Sequence, residues 1–478
     1  MPINSFLYPG ASGPPSPYSV DNSLRFNSGS NDNLTRSQSS GNRRTFTFSA
    51  WLKVADPAIS AAQIIMENYA DTGNYFIFYV NNNPNEFSFF DYSSSATQLQ
   101  FNATQDIQDP SAWYHVVVAI DTTQSTESNR VKFYINGSQV TDFDTSNYPS
   151  QNLQTNVNNG NNHMLGRWGS QNNFTFDGYM AEVVFIDGQA LDPTSFGEFD
   201  SDSTTIWKPI DVSGLTFGTN GYYLDFENSS ALGADVSGEG NNFTVNNLTA
   251  VDQSTDTCTN NFATMNPLAP ANISSASEGN LKILQSSSGG SVISTFGFSS
   301  GKWYWEVELD SQVNYTQLAG VIKESKMESA LLTSFNVGAN DGGWGYFLQG
   351  NTDNGKAFHN NSASSVYTTM SAGNILSIAV DSDNGKIYFA VNGTYVNSGD
   401  PANGTGAVYT NLPTGENLFP AITNYVGDGS TATLLMNFGS PPFAISSGNA
   451  DANGFGNFEY AVPSGYFALC TKNLAEYG

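Results

Sequence analysis

Two tryptophans stand in glycine-rich turns, the setting where core packing explains an aromatic ring least. Trp168 lies in Gly166-Arg167-Trp168-Gly169, and Trp344 in Asp341-Gly342-Gly343-Trp344-Gly345-Tyr346. A flat ring held in a turn can stack on the apolar face of a sugar. Trp168, Trp344 and Tyr346 are therefore candidate ligand-binding residues; the competing role for each is to plug one end of a β-sandwich. Arg167 adds a planar cation that pairs two-pronged with a carboxylate or sulfate. The chain has 16 basic and 43 acidic residues, so a local cation is what it needs to hold an anionic glycan.

Enzyme-like patterns also occur. Gly297-Phe298-Ser299-Ser300-Gly301 fits the nucleophile elbow G-x-S-x-G, but that elbow feeds a helix, and Lys302–Leu309 alternates as a strand. Residues 350–356 fit a phosphate loop, yet Ala357 stands where Ser or Thr must hold magnesium. Glu306, Glu308 and Asp310 share one strand face at spacings of about 6.5–7 Å, which suits an inverting glycosidase. His115, His163 and His359 are too scattered for a zinc triad, and two cysteines cannot complete one. His115 sits in the apolar run Trp113–Asp121, so a hydrogen-bonded structural role is expected of it.

The elements that must position these residues are strands. At 478 residues the chain exceeds one hydrophobic core, with 39% hydrophobic, 13% aromatic and only 12% charged residues. Asn, Ser, Thr and Gly fill the polar positions, which favours strands and turns over helices. A formal charge of −27 repels phosphate backbones and argues against nucleic-acid binding. No run of about 20 apolar residues is present to span a membrane, and no basic-then-apolar leader opens the chain. Cys258 and Cys470 do not make a disulfide framework and are expected to be free thiols.

Residues 1–22 are rich in Pro and Gly and read as an extended arm that docks on another subunit. Phe46, Phe48, Ala50, Leu52 and Val54 alternate with Thr45, Thr47, Ser49, Trp51 and Lys53, the pattern of a half-buried strand. Tyr75–Val80, Glu86–Tyr92, Trp113–Asp121 and Met180–Ile186 continue the series, with Asn136-Gly137 as a hairpin turn. Residues 206–275 are less regular and read as a connector with strands. Trp303, Trp305, Val307 and Leu309 open a second series, which runs through Leu376–Val380 and Ile387–Val391. The expectation is an all-β chain of two antiparallel, jelly-roll-like sandwiches in tandem, over 23–205 and 276–445, with a C-terminal segment 446–478.

Phe46-Thr47-Phe48-Ser49-Ala50-Trp51-Leu52, Trp113-Tyr114-His115-Val116-Val117-Val118, Val131–Gly137 and Phe176–Val183 make the first series resemble a laminin-G-like (concanavalin A-like) domain. Gly301-Lys302-Trp303-Tyr304-Trp305-Glu306-Val307, Asp383–Gly393, Leu418-Phe419-Pro420-Ala421 and Asn437-Phe438-Gly439 make the second resemble a SPRY domain. Phe6–Gly10, Tyr223–Phe226, Asn261–Leu268 and Ala468–Leu474 are similar to signature pieces of marine bacteriophage structural proteins. That resemblance implies a virion protein, such as a tail fibre, head fibre or capsid decoration, that partners other virion proteins, forms homo-oligomers and contacts host-surface glycans without catalysis. The alternatives are a purely architectural virion protein and a polysaccharide-degrading enzyme, although the glucanase pattern Glu-x-Asp-x-x-Glu is missing from the first series. The laminin-G-like resemblance implies calcium as the one candidate cofactor, held by hard oxygen ligands at one rim. The SPRY resemblance implies that Glu306, Glu308 and Asp310 face solvent, and that the Trp344–Tyr346 segment is a buried strand. Segment 222–248 resembles opening laminin-G-like strands, completing the first sandwich or left over from another.

Overall fold

A computed structural model describes residues 18–478, apart from 58–60, 83, 170–173, 269–272, 287–288, 312–314, 328–336, 351 and 429. The arm expected over 1–22 lies, up to residue 17, outside the described residues. The fold is all-β, with 45% strand and 6% helix. It divides into two compact units at the step from Thr259 to Asn260.

The first unit is a sandwich of two eight-stranded sheets. One sheet centres on Trp113–Asp121, Thr45–Val54 and Gly178–Asp187, paired antiparallel. The other runs Phe143–Asn147, Ala96–Asp106, Glu86–Ser93, Asn74–Val80, Gln63–Asp71, Asn162–Leu165, Asn33–Ser37, Thr244–Asn246. The period-two alternation predicted for these strands is what builds the core. Phe46, Phe48 and Leu52 from the first sheet meet Phe76, Phe78 and Phe89 from the second. The rings pack edge to face, as between Phe48 and Phe78 at 5.8 Å, which orients the two sheets beyond what area burial alone achieves.

Two expectations change here. Thr45–Val54 is not half-buried: every residue after Thr45 is buried. A further layer covers its outer face. Trp51 packs with Val20, Ala181 and Trp207, and Lys53 is fully buried against Asp256, 2.7 Å away. A buried ammonium needs such a partner. The second change is the connector. Residues 206–259 belong to the first unit, because Tyr222–Leu224 pairs with Gly178–Asp187, Thr244–Asn246 extends the second sheet and Gln253–Ser254 pairs with Ser23–Phe26. Tyr222, Leu224, Phe226 and Phe243 enter the same core, so segment 222–248 completes the first sandwich.

The second unit starts at Asn260 and holds an eight-stranded and a six-stranded sheet. Lys302–Ser311 sits between Ala432–Asn437 and Ile375–Asp381 in the first of these. Trp303, Trp305, Val307 and Leu309 face the core. Residues 260–268 and 273–275 belong here too: Phe262 bridges to Cys470 and Met265 to Ser294. The C-terminal segment crosses the outer face of the eight-stranded sheet. Phe467–Ala468 pairs in parallel with Trp303–Tyr304, and Thr471–Tyr477 forms a short helix. Cys258 and Cys470 are both free thiols.

Candidate functional site

The outer face of the second sheet in the first unit carries more aromatic surface than its solvent position calls for. Along Asn74–Val80, Phe76, Phe78 and Val80 point to the core while Tyr75 and Tyr79 stay partly exposed. Along Glu86–Ser93 the same division leaves Phe90 and Tyr92 outside. The register places Tyr69, Tyr75 and Tyr92 in one row across three strands. Their ring centroids are 6.5 and 5.3 Å apart. Phe90 lies 5.6 Å from Tyr75 and 5.9 Å from Tyr79.

Trp168 joins this row. Its ring is partly exposed, 5.6 Å from Tyr75 and 5.2 Å from Phe174. The sequence placed Trp168 in a turn at a sandwich end; the structure brings that turn onto the sheet face. Glu67 holds the turn by accepting the Gly169 N–H at 2.6 Å. Burial pushes the Glu67 carboxyl up to about 8, against the pull of that N–H and of the neighbouring Arg167 guanidinium. Arg167 is partly exposed beside Trp168, so the expected pairing of a ring and a cation is present. Seven partly exposed rings thus form one patch: Tyr69, Tyr75, Tyr79, Phe90, Tyr92, Trp168 and Phe174. Contiguous exposed apolar patches of this kind mark contact surfaces.

Six of the seven were missed in the sequence. The signal was there: Tyr75-Phe76-Ile77-Phe78-Tyr79 carries aromatics at both parities, whereas a half-buried strand needs them at one.

Trp344 and Tyr346 do not stand exposed in a turn, as the ligand-binding role expected of them requires. Both lie in the strand Gly343–Gln349 and are 1% and 0% exposed. Trp344 donates its indole N–H to Asn411 and stacks on His359, with centroids 4.8 Å apart. The Tyr346 hydroxyl donates to the Thr368 carbonyl. The glycines around them serve close strand packing: a Cβ on Gly320 would stand 1.9 Å from the Trp344 carbonyl oxygen. An open cleft of about 380 Å³ lies above His359, lined by Asn360, Ser362, Ala363, Ser364 and Tyr409.

Ser49 Oγ is 2.9 Å from His115 Nε2, which looks like a nucleophile–base pair. However, Trp207 donates its indole N–H to His115 Nδ1. The proton of the neutral ring therefore sits on Nε2 and is given to Ser49, so His115 cannot take a proton from it. Ser299 is followed by the strand Lys302–Ser311 and not by a helix. Glu306 corrects an expectation: it is fully buried, not solvated. Its carboxylate accepts from Tyr304 Oη, Asn437 Nδ2 and the N–H groups of Glu459 and Tyr460. The C-terminal segment covers it; Glu308 is half-buried and Asp310 exposed. Among the described residues, no three His, Cys, Asp or Glu side chains gather to hold a metal ion, and no helix is long and apolar enough to cross a membrane.

Residues 27–195 match the Concanavalin A-like lectin/glucanases superfamily, and residues 302–440 match the SPRY domain. No curated protein matches the chain. Among solved structures, the SPRY domain of human HERC1 is 14% identical, covering 36% of this chain and 96% of its own, with a TM-score of 0.28. The TRIM65 PSpry domain is 17% identical over 37% of this chain and 91% of its own (TM-score 0.28). A heptameric SAP-like pentraxin from Limulus polyphemus is 16% identical over 36% of this chain and 78% of its own (TM-score 0.27).

Proposed function

From a concanavalin A-like domain followed by a SPRY domain, we propose a non-enzymatic surface protein of a bacteriophage virion that contacts host-surface glycans. The contact is the aromatic face of the first unit, with Trp168, Tyr75 and Tyr92 as stacking platforms and Arg167 as the cation for an acidic sugar. The observation that carries this reading is the single patch of seven partly exposed rings on one sheet face. Rings on a rigid sheet lose little conformational entropy on binding, which favours weak, repeated contacts with a polymer. The assignment to a virion rests on the signature segments Phe6–Gly10, Tyr223–Phe226, Asn261–Leu268 and Ala468–Leu474. Other virion proteins and further copies of the chain are its proposed partners.

A glycan array with the full chain tests this reading. Binding to acidic envelope polysaccharides is expected, at least tenfold weaker in Trp168→Ala and Tyr92→Ala, with both variants folded. Equal binding by wild type and both variants would place the contact elsewhere. Release of reducing sugar from the same polysaccharides would make the protein an enzyme instead.

A further inference from the structure

The second unit carries an interface already occupied by the chain's own C-terminal segment. Glu306 reads two consecutive main-chain N–H groups of that segment, at 3.0 and 2.8 Å. Asn437, beside it, donates to the Asn457 carbonyl at 2.9 Å. Contacts of this kind recognise backbone and so fix a register. Asp451 then ties the segment to itself, accepting from Ala468 N and Asn473 Nδ2, so residues 451–473 hold together as a cassette.

The seam beneath the cassette is largely apolar, built by Phe262, Tyr304, Phe458 and Ala468, and three phenol hydroxyls interrupt it. Tyr388, Tyr395 and Tyr466 meet there in one cluster, and their hydroxyls are buried with no hydrogen-bond partner among the described residues. Opening the seam returns these three hydroxyls to water, which offsets part of the cost of separation. The connection that would have to swing, Pro441–Ser447, lies outside every strand and helix and is partly or fully exposed. A cassette with its own internal bonds, a backbone-reading seat and an exposed connection are the parts needed for exchange between identical chains.

We propose that this face is an exchange surface, on which residues 448–478 of a second copy sit in place of the chain's own. Each copy keeps the same contacts, so the exchange links copies without any new interface. The occupant is this chain's own segment because it is the sequence whose fit to the seat is on view, down to the parallel pairing of Phe467–Ala468 with Trp303–Tyr304.

The test uses full-length protein. It is concentrated, held in urea below the unfolding transition, diluted, and sized by light scattering. A dimer fraction that grows with the concentration during incubation is expected. Full-length chains carrying only Lys302→Cys are also mixed with chains carrying only Tyr466→Cys; each position immediately precedes one of the register partners Trp303 and Phe467. After mild oxidation, mass spectrometry should find a 302–466 disulfide joining two chains. Monomer at every concentration overturns the proposal. So does a dimer that lacks the 302–466 link while a chain carrying both Lys302→Cys and Tyr466→Cys closes it internally.

Discussion

The Trp207 indole N–H donates to Nδ1 of His115 at 3.0 Å, across 92 positions of sequence. That bond fixes the imidazole as the neutral Nε2–H tautomer and ties the end of one sandwich strand to the segment roofing it. Burial lowers the His115 pKa to about 3. A depressed histidine contributes stability above its unfolded value, and that contribution is lost as pH falls toward the folded one. Relative to wild type, His115→Gln should therefore recover about 1.4 kcal/mol for each pH unit lowered from 6.5. Urea midpoints at pH 6.5 and 5.0 check this; a constant difference would mean His115 is not held neutral. Trp207→Phe should cost about 1–3 kcal/mol at pH 7, because His115 Nδ1 loses its donor.

Glu67 works in the opposite direction. Its carboxyl is pushed up to about 8 by burial under the Trp168 turn. A raised acid contributes stability below its unfolded value, and that is lost as pH rises through the folded one. Glu67→Gln should thus become less costly by up to about 1.4 kcal/mol per unit as pH rises from 5 to 8. Thermal melts of the two proteins across that range provide the measurement; parallel curves would show that Glu67 is already ionised in the fold. Burial also raises Glu182 to about 7 and Asp91 to about 6, so in wild type these carboxyls act against the histidines between pH 5 and 6.5.

The sandwich cores were legible in the sequence because alternation is a local signal: Phe46 to Val54 declares its inner face without help from the rest of the chain. What alternation cannot declare is a second layer. Thr47, Ser49 and Lys53 look solvent-facing until residues from beyond position 188 fold over them, and Lys53 becomes buried only because Asp256 arrives from 203 positions away. Glu306 was misread for the same reason, since its partners Glu459 and Tyr460 lie over 150 positions on. Arg167 and Trp168 were singled out because a ring and a cation in a glycine turn are conspicuous. Tyr75 and Tyr92 were passed over because strand aromatics read as core.

Trp344 and Trp168 should separate on mutation. Trp344 is 1% exposed and wedged against His359, so Trp344→Ala should cost about 3–5 kcal/mol, the range for a buried tryptophan. Glycan binding by the fraction still folded should be unchanged. Trp168→Ala removes a partly exposed ring, so its stability cost should be clearly smaller and its effect should fall on binding. Calorimetry with glycan titration on both variants decides it; a binding defect in folded Trp344→Ala would return that residue to the site.

The three acidic side chains along Lys302–Ser311 give the sharpest test of the C-terminal cover. If all three faced water, replacing any one by alanine would change stability by no more than about 0.5 kcal/mol. In the structure only Asp310 is exposed, Glu308 is half-buried, and Glu306 answers four donors. Removing Glu306 takes the acceptor from two main-chain N–H groups, one phenol and one N–H of the Asn437 amide, all away from water. Glu306→Ala should therefore destabilise the second unit by about 3–5 kcal/mol, the cost of breaking a buried charged network from one side. Asp310→Ala should be near neutral, and Glu308→Ala intermediate. Hydrogen exchange locates the effect: in Glu306→Ala the amides of Glu459, Tyr460 and Ala468 should lose protection before those of the Ile375–Asp381 strand. Equal denaturation midpoints for all three variants, with those amides still protected, would mean that the segment does not sit on the sheet as described.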